Sequence, residues 1–188
     1  KVLTFKPDHV NAHNNLGITL KDLNQLDAAV KSYEKAIAIK PDFAEAHNNL
    51  GNVLKVLDRL DEAVKCYEQT LDIKPNFAEA HNNLGNIFKD LGRLDEAVKC
   101  YEQTLDIKPN FAEAHNNLGI TLVELGQLDA AVKCYEKTLA LQPDNAETHN
   151  NLGNAFQELG QREDATKSYE RALALKPDYA EAHNNLGT

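Results

Sequence analysis

The sequence contains neither methionine nor tryptophan, has few aromatic residues of any kind (6%), and holds only three cysteines in 188 residues. Without an initiating methionine the chain reads as a piece of a longer protein. No apolar run approaches the roughly 18 residues of a membrane-spanning helix. The start, KVLTFKPDHV, shows no apolar stretch leading to a small-residue cleavage site, so no signal peptide is expected. Basic residues are in the minority, 20 against 29 acidic ones, and the net charge of −9 argues against a general basic surface for nucleic acid. Glycine-rich phosphate loops are missing as well. Ser32 and Ser168 occupy the position that cysteine holds elsewhere in the chain, and acidic pairs such as Asp61 and Glu62 read as helix-start charges. No catalytic residue, cofactor site or enzyme activity is expected.

The cysteines turn the argument toward what is present, because Cys66, Cys100 and Cys134 lie at equal intervals of 34 residues. Pro7, Pro41, Pro75, Pro109, Pro143 and Pro177 keep the same interval, as do Gly17, Gly51, Gly85, Gly119, Gly153 and Gly187. Self-similarity at a fixed period of this length marks a repeat architecture. Five complete units are assigned to 10–43, 44–77, 78–111, 112–145 and 146–179, preceded by the end of another repeat at 1–9 and followed by the start of a further one at 180–188.

Within 78–111, Ala80, His81, Leu84, Gly85, Phe88 and Leu91 recur at steps of three and four, the stripe of an amphipathic helix. Leu94, Ala97, Val98, Tyr101, Thr104, Leu105 and Ile107 form a second stripe. Each unit is therefore two helices. Gly92 lies between them, matched by Gly126, Gly160, Asn24 and Asp58, residue types that accept a left-handed conformation beyond a helix end. Asp95 and Glu96 suit the start of the second helix, Lys108 its end, and Pro109 stops it. Asp42, Asp144 and Asp178, and likewise Asn76 and Asn110, stand three residues before Glu45, Glu147, Glu181, Glu79 and Glu113, the spacing of a capping box.

These units resemble tetratricopeptide repeats across the whole chain. In the first, Leu16, Gly17, Leu20, Ala29, Tyr33, Ala36 and Pro41 meet the family pattern. Histidine at 13, 47, 81, 115, 149 and 183 replaces the usual large aromatic of the first helix, and Thr70, Thr104 and Thr138 replace the late alanine of the second. The resemblance implies an all-α, right-handed superhelical solenoid of antiparallel helix hairpins, with first helices lining the concave face. Such helices are marginal alone and gain stability by stacking on neighbours.

The polar stripe of the first helices is periodic too. Asn14, Asn48, Asn82, Asn116 and Asn150 make one row, continued at Asn184; Asn15, Asn49, Asn83, Asn117 and Asn151 make a second, continued at Asn185; Asn52, Asn86 and Asn154 make a partial third. Asparagine is a mediocre helix former, so propensity does not account for it there. Its amide offers a donor pair and an acceptor, the complement of a peptide group. Neighbouring helix axes lie roughly 8–10 Å apart, near the span of three extended residues. All three rows are therefore candidate contacts for an extended peptide or partner segment, the second row foremost; the alternative for either of the first two rows is bonding to the adjacent repeat. The second row is similar to the asparagine ladder in the tetratricopeptide arm of O-linked N-acetylglucosamine transferases.

Other uses of the family fit less well. The two-carboxylate clamp for chaperone tails requires lysine where Asn14 or Asn48 stands and arginine where Asn83 or Asn117 stands; the Lys21, Lys55, Lys89 row breaks at Val123 and Gln157. Periodic histidines on adjacent helices stand too far apart to share a zinc ion, so no metal is expected. Equal spacing likewise keeps the cysteines beyond disulfide reach, and free thiols suit a cytoplasmic location. The expected function is a protein-protein interaction module. Two alternatives accompany it: a scaffold that self-associates head to tail through uncapped ends, and a substrate-docking arm for a transferase domain elsewhere.

Overall fold

In the computed structural model residues 9–187 are described; the expected tail of a preceding repeat falls on residues 1–8 and, with Thr188, lies outside them. All regular structure among the described residues is helical. In chain order the helices are α1 (Val10–Asp22), α2 (Leu26–Ile39), α3 (Ala44–Val56), α4 (Leu60–Ile73), α5 (Ala78–Asp90), α6 (Leu94–Ile107), α7 (Ala112–Glu124), α8 (Leu128–Leu141), α9 (Ala146–Glu158), α10 (Arg162–Leu175) and α11 (Ala180–Leu186). The chain divides into two compact units, the first ending at Ile87 and the second starting at Phe88.

In the first unit α1 packs on α2 and α3 on α4, while α2 and α1 both touch α3. The second unit repeats the scheme: α7 pairs with α8 and α9 with α10, α8 bridges to α9, and α10 to α11. Ala29, Tyr33, Ala46, Val53, Ala63 and Tyr67 form the first core, and Ala114, Ala131, Tyr135, Ala155, Tyr169 and Ala172 the second. Gly17 lies against the ring of Tyr33, Gly51 against Tyr67, Gly119 against Tyr135 and Gly153 against Tyr169, so each ring fills the space between the helices of a hairpin.

Short turns join the helices of a hairpin, and their chemistry is the one the sequence predicts. Asn24 and Asp58 have φ of 57° and 58°, and Gly92, Gly126 and Gly160 have 71°, 72° and 76°. After α1, Gln25 N donates to Leu20 O at 2.8 Å and Asn24 N to Lys21 O at 2.9 Å, a Schellman pair that satisfies carbonyls left over at the helix end. The same pair recurs after α3, α5, α7 and α9.

Between hairpins the capping expectation needs correcting. Helix α3 begins after Phe43, α7 after Phe111 and α11 after Tyr179, none of which has a side-chain cap bond. Phe43 N donates to Lys40 O at 3.2 Å, closing a turn with Pro41 and Asp42 at its centre. The acidic residue is consumed by the turn, and Glu45 falls one position short of the reciprocal box. At α9 the cap is Asn145, one residue beyond the expected Asp144: its Oδ1 accepts from Thr148 N at 3.0 Å. Lysine at the end of the second helix acts through the ring instead, Lys74 Nζ lying 4.9 Å from the Phe77 centroid and Lys176 Nζ 4.8 Å from that of Tyr179. Where Gln142 replaces the lysine, Asn145 replaces the aromatic, and the ring stack gives way to the amide cap.

The stripes also shift at their edges. Leu91 and Ile107, expected in the core, are 43% and 36% exposed, whereas Ile87 and Cys100 are buried. Thr70 sits fully buried with its hydroxyl donating to Cys66 O at 2.8 Å, so a threonine replaces alanine there without leaving a polar group unpaired.

Candidate functional site

The periodic histidines explain themselves first. His47 Nε2 donates to Pro41 O at 2.9 Å, and His81, His115, His149 and His183 make the same bond to Pro75, Pro109, Pro143 and Pro177. A carbonyl can only accept, which places the proton on Nε2. Each histidine therefore latches the first helix to the turn that precedes it.

The three cysteines are free, and burial pushes each thiol up to about 11, with nearby carboxylates adding to the effect. They are protonated near neutrality and belong to packing.

The asparagine rows separate by depth. Asn14, Asn48, Asn82 and Asn150 of the first row are buried, Asn82 at 2% exposure and Asn150 at 0%. Asn82 and Asn150 therefore present little or no side-chain area to a peptide. Asn116 is half-buried, and its Oδ1 accepts from Thr148 Oγ1 at 3.1 Å in the next repeat. Asn150 Nδ2 donates to Glu181 Oε1 at 2.9 Å, again in the next repeat. Asn116 and Asn150 thus tie one repeat to the next.

The second row reaches the surface. Asn15 is exposed, and Asn49, Asn83, Asn117 and Asn151 are half-buried. Two of these amides are oriented by the preceding repeat: Asn49 Nδ2 donates to Asn14 Oδ1 at 3.1 Å, and Asn83 Nδ2 to Asn52 Oδ1 at 2.9 Å.

The half-buried third row holds the junctions. Asn52 Oδ1 accepts both from Asn83 and from Tyr67 Oη, the latter at 2.8 Å. In the second unit Asn154 Oδ1 accepts from Asn185 Nδ2 at 2.8 Å and from Tyr169 Oη at 2.9 Å. The tyrosines, which the helical stripe marks only as core, also place their hydroxyls on these junctions. The legible signal was a spacing: tyrosine 15 residues and asparagine 31 residues after each junction asparagine. The junction tyrosines hold their protons strongly, since burial raises the phenol of Tyr67 above its ordinary range.

Electrostatics around these rows differ between units. Lys21 stands 3.7 Å from Asp22, and Lys74 3.5 Å from Glu45, in the first. Glu124, Glu147 and Glu158 of the second line one pocket together with Tyr135, Asn151 and Asn154.

Helical hairpins in tandem, closed by a proline turn and a tyrosine against glycine, define a class of repeat protein. The tetratricopeptide repeat family matches over residues 19–58, 56–92, 85–126, 119–160 and 146–179, and the chain belongs to it. The family is one of protein-interaction repeats. No curated protein matches the chain in sequence. Among solved structures it is similar to YrrB, described as a tetratricopeptide protein with an unusual peptide-binding site, at 22% identity and a TM-score of 0.83, covering 100% of this chain and 96% of that one. MamA is similar at 22% identity and a TM-score of 0.80, with 92% and 94% covered. PilF of Pseudomonas aeruginosa is similar at 20% identity and a TM-score of 0.84, with 94% and 80% covered. At these identities the likeness is one of fold. Among the described residues no helix is long and apolar enough to cross a membrane.

Proposed function

We propose that the chain is a protein-interaction module that holds an extended segment of a partner along its first helices, through the second and third asparagine rows. The observation that carries this reading is the oriented second row. The Nδ2 groups of Asn49 and Asn83 are already bonded to the preceding repeat, and neither Oδ1 takes a hydrogen bond among the described residues. An acceptor fixed in place at the surface is suited to a backbone N–H of a bound strand, because little ordering remains to be done on binding. Asn14, Asn48, Asn82 and Asn150, which are buried, are left out of the proposed contacts. The peptide-binding site named for YrrB belongs to a protein of the same fold, which favours the same class of role. Binding is thus the proposed activity and catalysis is not part of it.

The test is fluorescence-anisotropy titration with a library of labelled extended peptides, before and after Asn83→Ala and Asn117→Ala. Affinity should fall by about tenfold or more in the double variant, the scale of two lost backbone hydrogen bonds. Unchanged affinity at an unchanged thermal midpoint would remove the ladder from the mechanism.

A further inference from the structure

The third asparagine row is interrupted. Ile18 and Ile120 occupy the positions of Asn52 and Asn154 in the first and fourth repeats. In the second unit the interruption has a consequence for two polar groups. Tyr135, 15 residues after Ile120, and Asn151, 31 residues after it, lack the acceptor that Asn52 gives to Tyr67 and Asn83. Neither the Tyr135 hydroxyl nor the Asn151 amide has a hydrogen bond among the described residues.

Both residues line a pocket of about 270 Å³ beside α7 and α9. Tyr135 is only 2% exposed, and its unpaired hydroxyl belongs to a buried side chain that lines that pocket. Ile120 and Val123 give the pocket an apolar wall; Glu124, Glu147 and Glu158 give it three carboxylates, none of them in an ion pair among the described residues. Burial is the main cause that raises the Tyr135 phenol, and Cys134, Glu124 and Glu158 add to it. Yet no group of three or more such side chains is arranged to hold a metal ion among the described residues.

We propose that this pocket receives the guanidinium of an arginine in the bound segment, and so supplies the side-chain specificity that a ladder reading only backbone lacks. The proposal rests on the groove reading above. Arginine fits for three reasons. Its five donors and lack of any acceptor complement a site of three carboxylates, an amide oxygen and a phenolic oxygen. Its aliphatic stem suits the wall of Ile120 and Val123. Its weak hydration lets it enter a half-enclosed site at lower cost than an ammonium.

The corresponding place in the first unit has different polar partners and charge. There Asn49 donates to Asn14 instead, Glu45 pairs with Lys74, and Val56 stands where Glu158 does in the second. One basic side chain per bound segment is therefore expected at the fourth and fifth repeats.

The experiment uses the full chain and a labelled nonapeptide of alanine and serine with arginine at its centre, beside matched peptides carrying citrulline or lysine. The arginine peptide should bind at least about tenfold more tightly than the citrulline peptide, the scale of one charge-assisted contact. Glu124→Gln with Glu158→Gln should bring that ratio close to one without moving the thermal midpoint, since both side chains are exposed. Ile120→Asn, which restores the junction found at Asn52, should do the same by giving Tyr135 and Asn151 their acceptor; if that variant fails to fold, the glutamine pair carries the test alone.

Equal binding of the arginine and citrulline peptides overturns the pocket and leaves the groove standing. Equal binding of lysine and arginine overturns the guanidinium assignment. Failure of every peptide to bind counts against the groove itself, and the pocket is then judged by N-acetylarginine N-methylamide. That probe should shift the Asn151 side-chain amide resonances in NMR spectra, and an equal shift from its citrulline analogue overturns the proposal.

Discussion

A methyl group added to Gly51 would have its carbon 2.7 Å from Cε1 of Tyr67, closer than two carbons can approach. Gly17 meets Tyr33 and Gly119 meets Tyr135 in the same way. The glycine lies mid-helix, where it costs about 1 kcal/mol relative to alanine. That cost is offset by the ring it admits, which brings the two helices of one hairpin together.

Gly51→Ala should therefore destabilise the protein although alanine is the better helix former. Overpacking of about 1–3 kcal/mol should outweigh the propensity gain, read as a lower urea midpoint. Gly92→Ala meets no neighbouring atom but sits at φ of 71°, and should cost about 1 kcal/mol through backbone strain alone. Replacing Tyr67 by leucine should relieve the first substitution and leave the second unchanged.

Asn52→Leu should cost about 1–3 kcal/mol, because Asn83 Nδ2 and Tyr67 Oη lose their shared acceptor together. Adding Tyr67→Phe removes one of the stranded groups. The double variant should then be less destabilised than the sum of the singles, and a double-mutant cycle by urea unfolding measures the difference.

His115→Phe retains the ring and restores the aromatic that tetratricopeptide repeats usually carry at this site, but removes the bond to Pro109 O. A loss of about 0.5–1.5 kcal/mol is expected, with amide hydrogen exchange rising in the 108–111 turn before the rest of the unit. Exchange that stays uniform would show that the latch has no local effect.

Alkali should unfold the protein. The thiols of Cys66, Cys100 and Cys134 are pushed up to about 11 from an ordinary 9.0, and Tyr33 up to about 12 from 10.0. Because folding favours the protonated forms, this stability is fully present below pH about 9. It is lost as pH rises through 9 to 11 for the thiols and from 10 to 12 for Tyr33. At pH 8 the rise from 9.0 to about 11 should slow alkylation of the native thiols by about a hundredfold against the urea-unfolded chain, measured with iodoacetamide.

Much of the fold was legible because it is written in local chemistry repeated five times. The interval of 34, the left-handed residues at 24, 58, 92, 126 and 160, and the prolines are decided by neighbours along the chain, and the structure shows the hairpins and turns they encode. Misplaced features were those set by competition between neighbouring structures. Asp42 had the spacing of a cap, yet the turn closed by Phe43 N and Lys40 O claimed it first. Leu91 looks like core from its step in the helical stripe, but lies on the connecting turn and stays 43% exposed.

The asparagine rows show where sequence stops. By itself the sequence determined that three polar positions recur on the first helices, since periodicity is a property of the chain. Only the tertiary structure decided that Asn82 and Asn150 are interior while Asn49 and Asn83 reach the surface, because depth depends on how the next helix packs across each row. It also joined Asn52 to both Tyr67 and Asn83, 15 and 31 residues away. The same packing turned Ile120 from one more apolar residue into an open place in the amide network. Hydrogen bonds of that range are made by folding, and no local rule along the chain assigns them.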